Sequence, residues 1–283
     1  MQDKSAIVET LHRYFISVES VSFAFLFGST AQGRQTEDSD IDIAVYFNPR
    51  QDEIDIESDS IDENEDTIWD EIEKLTGSSV DLVVLNRAPA TLVHTVFDAG
   101  IPIIIKDHKL YRRVYLAASR ISEDFREFIK DYWAIKQRSS SMSEDDKERL
   151  IKILDFLETE INDYTHFAGL NKKRYLTDSD FRRNVERFIE NIVNASIDIA
   201  KILLASEKIK IPQTYKETLS NLSLLAGFSS ATAEKLSSYA RLRNILAHEY
   251  LDLRFTKIKD FIETSEPLYR ELIDFSKHFV EGN

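Results

Sequence analysis

Over the first hundred residues, apolar positions come in short blocks with two different periods. The opening stretch MQDKSAIVETLHRYF spaces them as an amphipathic helix does. Ser22–Phe27 (SFAFLF) is a continuous apolar and aromatic run that stops at Gly28, the pattern of a buried strand. Asp40–Phe47 (DIDIAVYF) alternates polar and apolar at its start, as a strand with one exposed mouth would. Thr67–Leu75 predicts a helix, Ser79–Leu85 (SVDLVVL) a strand, Ala90–Ala99 a helix entered from Pro89, and Pro102–Lys106 (PIIIK) a further short strand. Such a mixture describes a small α/β or α+β domain.

From about Lys109 the strand signals stop. Leu110–Gln137 reads as helix, and RSSSMSEDDK at 138–147 is the most linker-like stretch of the chain. Ser143 with Asp146 three residues on suggests a capping box for the next helix. That helix carries Leu150, Leu154, Leu157, Ile161 and Tyr164 at alternating spacings of four and three. A second long helix has Val185, Phe188, Ile192 and Ile199 on its apolar side, a third follows Pro212, Ser230–Tyr250 is a fourth, and another comes after Pro267. The reading is therefore α+β overall: an N-terminal domain with a helical extension at 1–137, a linker at 138–147, and an all-α bundle of four or five helices at 148–283.

Composition narrows the chemistry. The 283 residues are 42% hydrophobic and 30% charged, with 7 Gly, which fits folded domains and not a low-complexity chain. There is no cysteine, which excludes disulfides, thiolate metal sites and a Cys nucleophile, and makes a cytoplasmic address the default. No apolar run approaches the ~20 residues of a membrane span. The net charge of −14 is unevenly placed: residues 1–137 hold 14 Lys and Arg against 26 Asp and Glu, residues 138–283 hold 22 against 24. Much of the acidity sits in 51–74, read as a solvated loop running into a surface helix. The near-neutral C-terminal half leaves RNA open as a ligand there.

The first motif is GSTAQGRQTEDSDID. Gly28-Ser29 closes a strand, ten residues follow, and then come Asp40 and Asp42, two apart on a strand and so able to converge. Adjacent carboxylates repel unless a cation lies between them, and oxygen-only ligation suits Mg²⁺. Gly28 allows close backbone approach to a phosphate, and Ser29 offers a hydroxyl and an amide. Asp81 lies among apolar residues of VDLVVL, where a lone acid needs a reason that a shared metal site would supply. Arg34 is either a phosphate contact or a solvated surface residue. The pattern G-S-x10-D-x-D resembles the DNA polymerase β-type nucleotidyltransferase superfamily, specifically its minimal nucleotidyltransferases (the MntA-type antitoxins), over roughly residues 1–110. That resemblance implies a small domain with a mixed sheet, nucleotide binding at Gly28 and Ser29, Mg²⁺ on Asp40 and Asp42, Asp81 as base or second-metal ligand, and transfer of NMP from an NTP such as ATP.

The second motif is RLRNILAHEY at 241–250, in which Arg243, His248 and Tyr250 make R-x4-H-x-Y. At ~100° per residue, Arg243 and Tyr250 fall on nearly one stripe and Asn244 and His248 on another, while Arg243 and His248 stand about 140° apart. One straight helix does not readily focus Arg and His on a single phosphate, whereas two copies about a two-fold axis would, so the motif argues for a homodimer through this domain. The string, late in an all-helical segment, resembles the HEPN superfamily and its HepT-type toxin branch over about residues 142–280. The resemblance implies a metal-independent ribonuclease in which His248 is acid or base, Arg243 binds the scissile phosphate and Asn244 orients the pair, with RNA (tRNA or mRNA) as the target. His12, His94, His108, His166 and His278 show no ligand spacing.

In the two-gene systems that these halves resemble, the transferase adenylylates the tyrosine of R-x4-H-x-Y. Here both parts share one polypeptide, and Tyr250 is the matching acceptor. The expected function is a fused toxin-antitoxin-like protein whose transferase adds AMP from ATP to Tyr250 and silences the ribonuclease. The alternatives are a small-molecule, aminoglycoside-type nucleotidyltransferase with a helical substrate domain, for which RNILAHEY has no use, and a non-catalytic sensor or scaffold.

Overall fold

The computed structural model describes residues 4–34, 40–49, 54–138, 142–248 and 255–282, with backbone alone at Asn244, Ile245, Ala247 and His248. Residues group into two compact units, 1–123 and 124–283.

In the first unit the chain runs α1 (Lys4–Ser17), β1 (Val21–Leu26), α2 (Gly28–Ala31), β2 (Ile41–Phe47), α3 (Glu65–Thr76), β3 (Val80–Val84), α4 (Ala90–Ala99), β4 (Ile101–Ile105) and the start of α5 (His108–Lys136). The sheet is mixed, in the order β3-β2-β1-β4: β2 and β3 are parallel, and β1 is antiparallel to both its neighbours. Period-two alternation sorts β1 between two cores. Ala24 and Leu26 pack with Leu11 and Phe15 of α1 and Ile68 and Ile72 of α3. Phe23 and Phe25 pack with Val93 and Phe97 of α4 and Val114 and Ile121 of α5. A central strand covered on both faces has no polar side, which is why SFAFLF reads as an unbroken apolar run. Pro102 sits on edge strand β4 opposite Phe25, beside a register shift, where a missing N–H does least harm. Helix α3 begins two residues before the stretch that its periodicity marks and ends at Gly77 in the left-handed conformation, φ 62°.

The second unit takes the rest of α5 and continues as α6 (Glu144–Asn162), α7 (Tyr164–Phe167), α8 (Lys172–Thr177), α9 (Ser179–Ser206), α10 (Tyr215–Ser220), a 3-10 turn (Asn221–Leu224), α11 (Ser230–His248), α12 (Phe255–Thr264) and α13 (Glu266–Gly282). Helix α9 is central: every residue of its last turns from Ile199 is buried. Helices α6, α11 and α13 pack around it. Ser143 caps α6 by accepting from the Asp146 N–H at 3.1 Å, but the box is not reciprocal: the Asp146 carboxylate takes the Ser143 hydroxyl and Arg138 instead of the Ser143 backbone. Tyr164, which the four-three spacing puts at the end of α6, begins α7 after a break at Asp163.

The division between the units falls inside α5 and not in the serine-rich stretch at 138–147. Phe125, Phe128, Tyr132 and Ile135 belong to the core of the helical unit. A buried cation adds to this: Lys201 of α9 bonds Asp131 of α5 and Asp198 at 2.8 Å each, and Asp131 also takes Arg149 of α6 at 2.8 Å. Burial raises the Asp131 carboxyl, and the bonds from Lys201 and Arg149 outweigh it, leaving it below the usual carboxylate value.

Candidate functional site

The first unit gathers its candidate residues at one end of the sheet, where β1 ends and β2 and β3 begin. In the parallel ladder Asp42 is the direct partner of Asp81, so both side chains stand on one face, above the Phe25–Ala44 side of the sheet. The chain leaving β1 closes over them. The Phe27 N–H donates to the Asp42 carbonyl at 3.0 Å, and the Ser29 N–H bonds the Asp42 carboxylate. Gly28 has φ +68°, and a Cβ placed there would collide with Asp42 Oδ2. Glycine is thus demanded twice, by the left-handed backbone and by the carboxylate packed against it.

Asp42 is half-buried and its carboxyl is pushed above the ordinary value. Desolvation contributes most, repulsion from Asp81 follows, and Asp40 adds to it, while the Ser29 N–H opposes them. Asp40 lies just before β2 and is exposed, and residues 35–39 lie outside the described residues. Asp81 is also exposed, which corrects one expectation. Apolar neighbours in sequence suggest a buried acid, but β3 is an edge strand and Asp81 its second residue, so no burial penalty needs explaining. What sets it apart is its register with Asp42. Arg34 is exposed, with its guanidinium on the Gln32 side chain and its N–H on the Ser29 carbonyl.

Two residues that sequence patterns leave unmarked hold the approach to Asp81. Trp69 Nε1 donates to the Val80 carbonyl at 2.9 Å, and the Glu73 carboxylate accepts the Val80 N–H at 3.1 Å. Both project from α3, four residues apart, onto the residue before Asp81. An exposed Trp in an acidic helix was the available signal.

Among the described residues no three Asp, Glu or His side chains form a ready-made metal cage. The donor set nevertheless suits a hard divalent cation: all donors are carboxylate oxygens, and the repulsion that lifts Asp42 is what a cation between Asp42, Asp81 and Asp40 would relieve. A cavity of about 870 Å³ opens at the opposite end of the sheet, beside Ser22, Asn48 and Lys106. Its lining mixes Glu19 and Asp107 with Lys106 and Lys109, in contrast to the in-register carboxylates Asp42 and Asp81 beside Gly28.

Gly28→Ala should destabilise the first unit by about 1–3 kcal/mol, from the positive φ and the contact with Asp42. Thermal unfolding checks this; a melting temperature equal to the parent's would mean that Asp42 turns aside freely.

In the second unit Arg243 lies on α11, largely buried. Its Nε donates to Asn194 Oδ1 of α9 at 2.8 Å, its guanidinium carbon stands 4.9 Å from the centroid of the Tyr215 ring, and Nη2 is 3.5 Å from Asp124 Oδ2. The α11 backbone is continuous helix to His248, so the angular offset from Arg243 holds as far as that residue. The side chains of Asn244 and His248, and Tyr250 as a whole, lie outside the described residues. Among the described residues no helix is long and apolar enough to cross a membrane.

Comparison with known proteins matches the two units separately. Residues 9–109 match the family Polymerase beta, Nucleotidyltransferase, and residues 147–276 match the family Ribonuclease HepT-like. No curated protein matches the chain. Solved structures include a toxin-antitoxin with AMP-PNP, at 23% identity over 46% of this chain and 97% of that one, with a TM-score of 0.35. A mutant of the toxin-antitoxin MntA-HpeT aligns at 22% identity over the same shares, also with a TM-score of 0.35. A likeness that low does not bear on the chemistry. The polypeptide thus joins a nucleotidyltransferase domain of the polymerase beta family to a domain of the Ribonuclease HepT-like family.

Proposed function

We propose that this chain is a self-restrained ribonuclease: the first domain transfers AMP from ATP to the Tyr250 hydroxyl with release of pyrophosphate, and the modification silences metal-independent RNA cleavage by the second. The observation that carries the reading is the presence of both matched domains in one chain, with Asp42 and Asp81 in register beneath the Gly28-Ser29 turn. Asp40 and Asp42, with Asp81, would hold Mg²⁺, which when bound offsets the charge of the triphosphate. Asp81 takes the proton of the attacking hydroxyl, and the turn at Gly28-Ser29 meets the phosphates with backbone N–H groups. In the second domain Arg243 binds the scissile phosphate, Asn244 orients, and His248 moves the proton. An AMP phosphodiester on Tyr250 adds about one negative charge seven residues along the sequence from Arg243, and would compete with RNA for that guanidinium. A homodimer through the helical domain supplies the geometry that one straight helix lacks. The small-molecule transferase reading leaves the HepT-like match at 147–276 without a purpose.

Intact mass spectrometry after incubation with Mg²⁺ and ATP tests the reading. The chain gains one or more AMP units, peptide mapping puts them on Tyr250, and Asp42→Asn abolishes the gain. Label confined to other residues, or label that survives Asp42→Asn, would sink it.

A further inference from the structure

Arg243 is the group to which the proposed cleavage assigns the scissile phosphate, and its setting shows what competes for it. Its side chain is only 13% exposed. Asn194 fixes the Nε edge at 2.8 Å and the Tyr215 ring lies 4.9 Å from the guanidinium carbon, so these two neutral groups set the direction in which the fork points. A further neighbour is charged. Asp124 places a carboxylate oxygen 3.5 Å from Nη2, at the edge of the fork that a phosphate would use.

The next two turns of α5 hold Asp124 in place. Phe125 and Phe128 stack on each other and meet Tyr215 edge-on, and Asp131 is bonded to Lys201. The carboxylate is therefore anchored at its base yet 44% exposed, at a distance that marks a loose pair. A long ion pair whose carboxylate end faces solvent is displaced at low cost. Asp124 also lies outside the HepT-like segment at 147–276, on a helix that begins in the transferase unit.

We propose that Asp124 is an acidic brake on Arg243, a carboxylate that stands where an RNA phosphate must bind and has to be displaced by it. The proposal rests on the reading of Arg243 as the phosphate-binding residue. It is separate from AMP transfer: the brake acts in the unmodified chain and sets how readily RNA enters once restraint by modification is absent.

The test uses the full chain with Asp40→Asn and Asp42→Asn, so that modification plays no part. Affinity for a 12-nucleotide 2′-O-methyl RNA, which mimics the backbone and resists cleavage, is read by fluorescence anisotropy with and without Asp124→Asn. The substitution should tighten binding roughly two- to fivefold, the scale of an exposed ion pair. The gain should vanish when Arg243→Ala is added. Unchanged or weaker binding, failure of every variant to bind, or a gain that survives Arg243→Ala would overturn the brake, the last because general charge would then explain it. Cleavage of unmodified RNA is followed in parallel: Asp124→Asn should lower KM by a similar factor with little change in kcat. Weaker cleavage would make Asp124 a positioning residue and overturn the brake. Tighter, Arg243-dependent binding with no cleavage by any variant would support the brake at a phosphate site while sinking the ribonuclease reading, so the two failures stay distinct.

Discussion

A chain carrying Asp40→Asn and Asp42→Asn should lose AMP transfer by about 10³-fold or more, the scale on which charge stabilisation of a transferring phosphoryl group acts. It should also become toxic to the cells that make it. Both substitutions keep side-chain size and remove charge, so the fold survives. The metal-free protein should even gain at neutral pH. Because the Asp42 carboxyl is raised in the fold, protonation favours the folded state: stability is fullest below the unfolded pKa and declines as pH climbs through the folded one. Asp42→Asn removes that decline, so its melting temperature at pH 7 without Mg²⁺ is no lower than the parent's. Growth after induction, in-gel RNA cleavage and pH-dependent melting read the three effects separately. Full growth with no RNA cleavage, from protein shown to be folded, shifts the reading to a small-molecule transferase.

The second large effect is rescue. Adding Arg243→Ala or His248→Ala to the transferase-inactive chain should restore growth and cut RNA cleavage by about 10²–10⁴-fold, the range of a lost phosphate donor or general acid–base group. Arg243→Ala removes a partner of both Asn194 and Asp124, so it also costs some stability. His248→Ala is measured beside it for that reason. Toxicity that persists in both places the harm outside the R-x4-H motif.

The sequence exposed its local signals and hid its registers. Buried β1 was legible because both faces of a central strand must be apolar. Asp42 and Asp81 each stood out as acids in strand-like text, but their pairing is a property of the β2–β3 ladder and their different exposure a property of which strand ends the sheet. No spacing in the chain encodes either. Gly28 was legible as a glycine at a turn, but the packing of the Asp42 carboxylate against it is not written in the sequence. The role of α5 was partly written: Phe125, Phe128, Tyr132 and Ile135 keep helical spacing, but periodicity says only that a face is buried, not which core it joins. Asn194 and Asp124 reach Arg243 from 49 and 119 residues away, beyond any local pattern.

The passage of α5 from one unit into the other bears on how such a protein is destroyed. When restraint and weapon are separate chains, a protease can remove the first and leave the second intact. Here a processive unfoldase working from the transferase side reaches residue 123 in mid-helix, and its next pull extracts Phe125, Phe128, Tyr132 and Ile135 from the core of the helical unit. That unit then loses four large apolar anchors, each worth about 3–5 kcal/mol for an aromatic and 2–5 for Ile, together with Asp131, one of the two carboxylates on buried Lys201. Degradation from that side is therefore expected to unfold the helical unit as well, so that under the proposed function release of the activity would come through chemistry at Tyr250 and not through proteolysis.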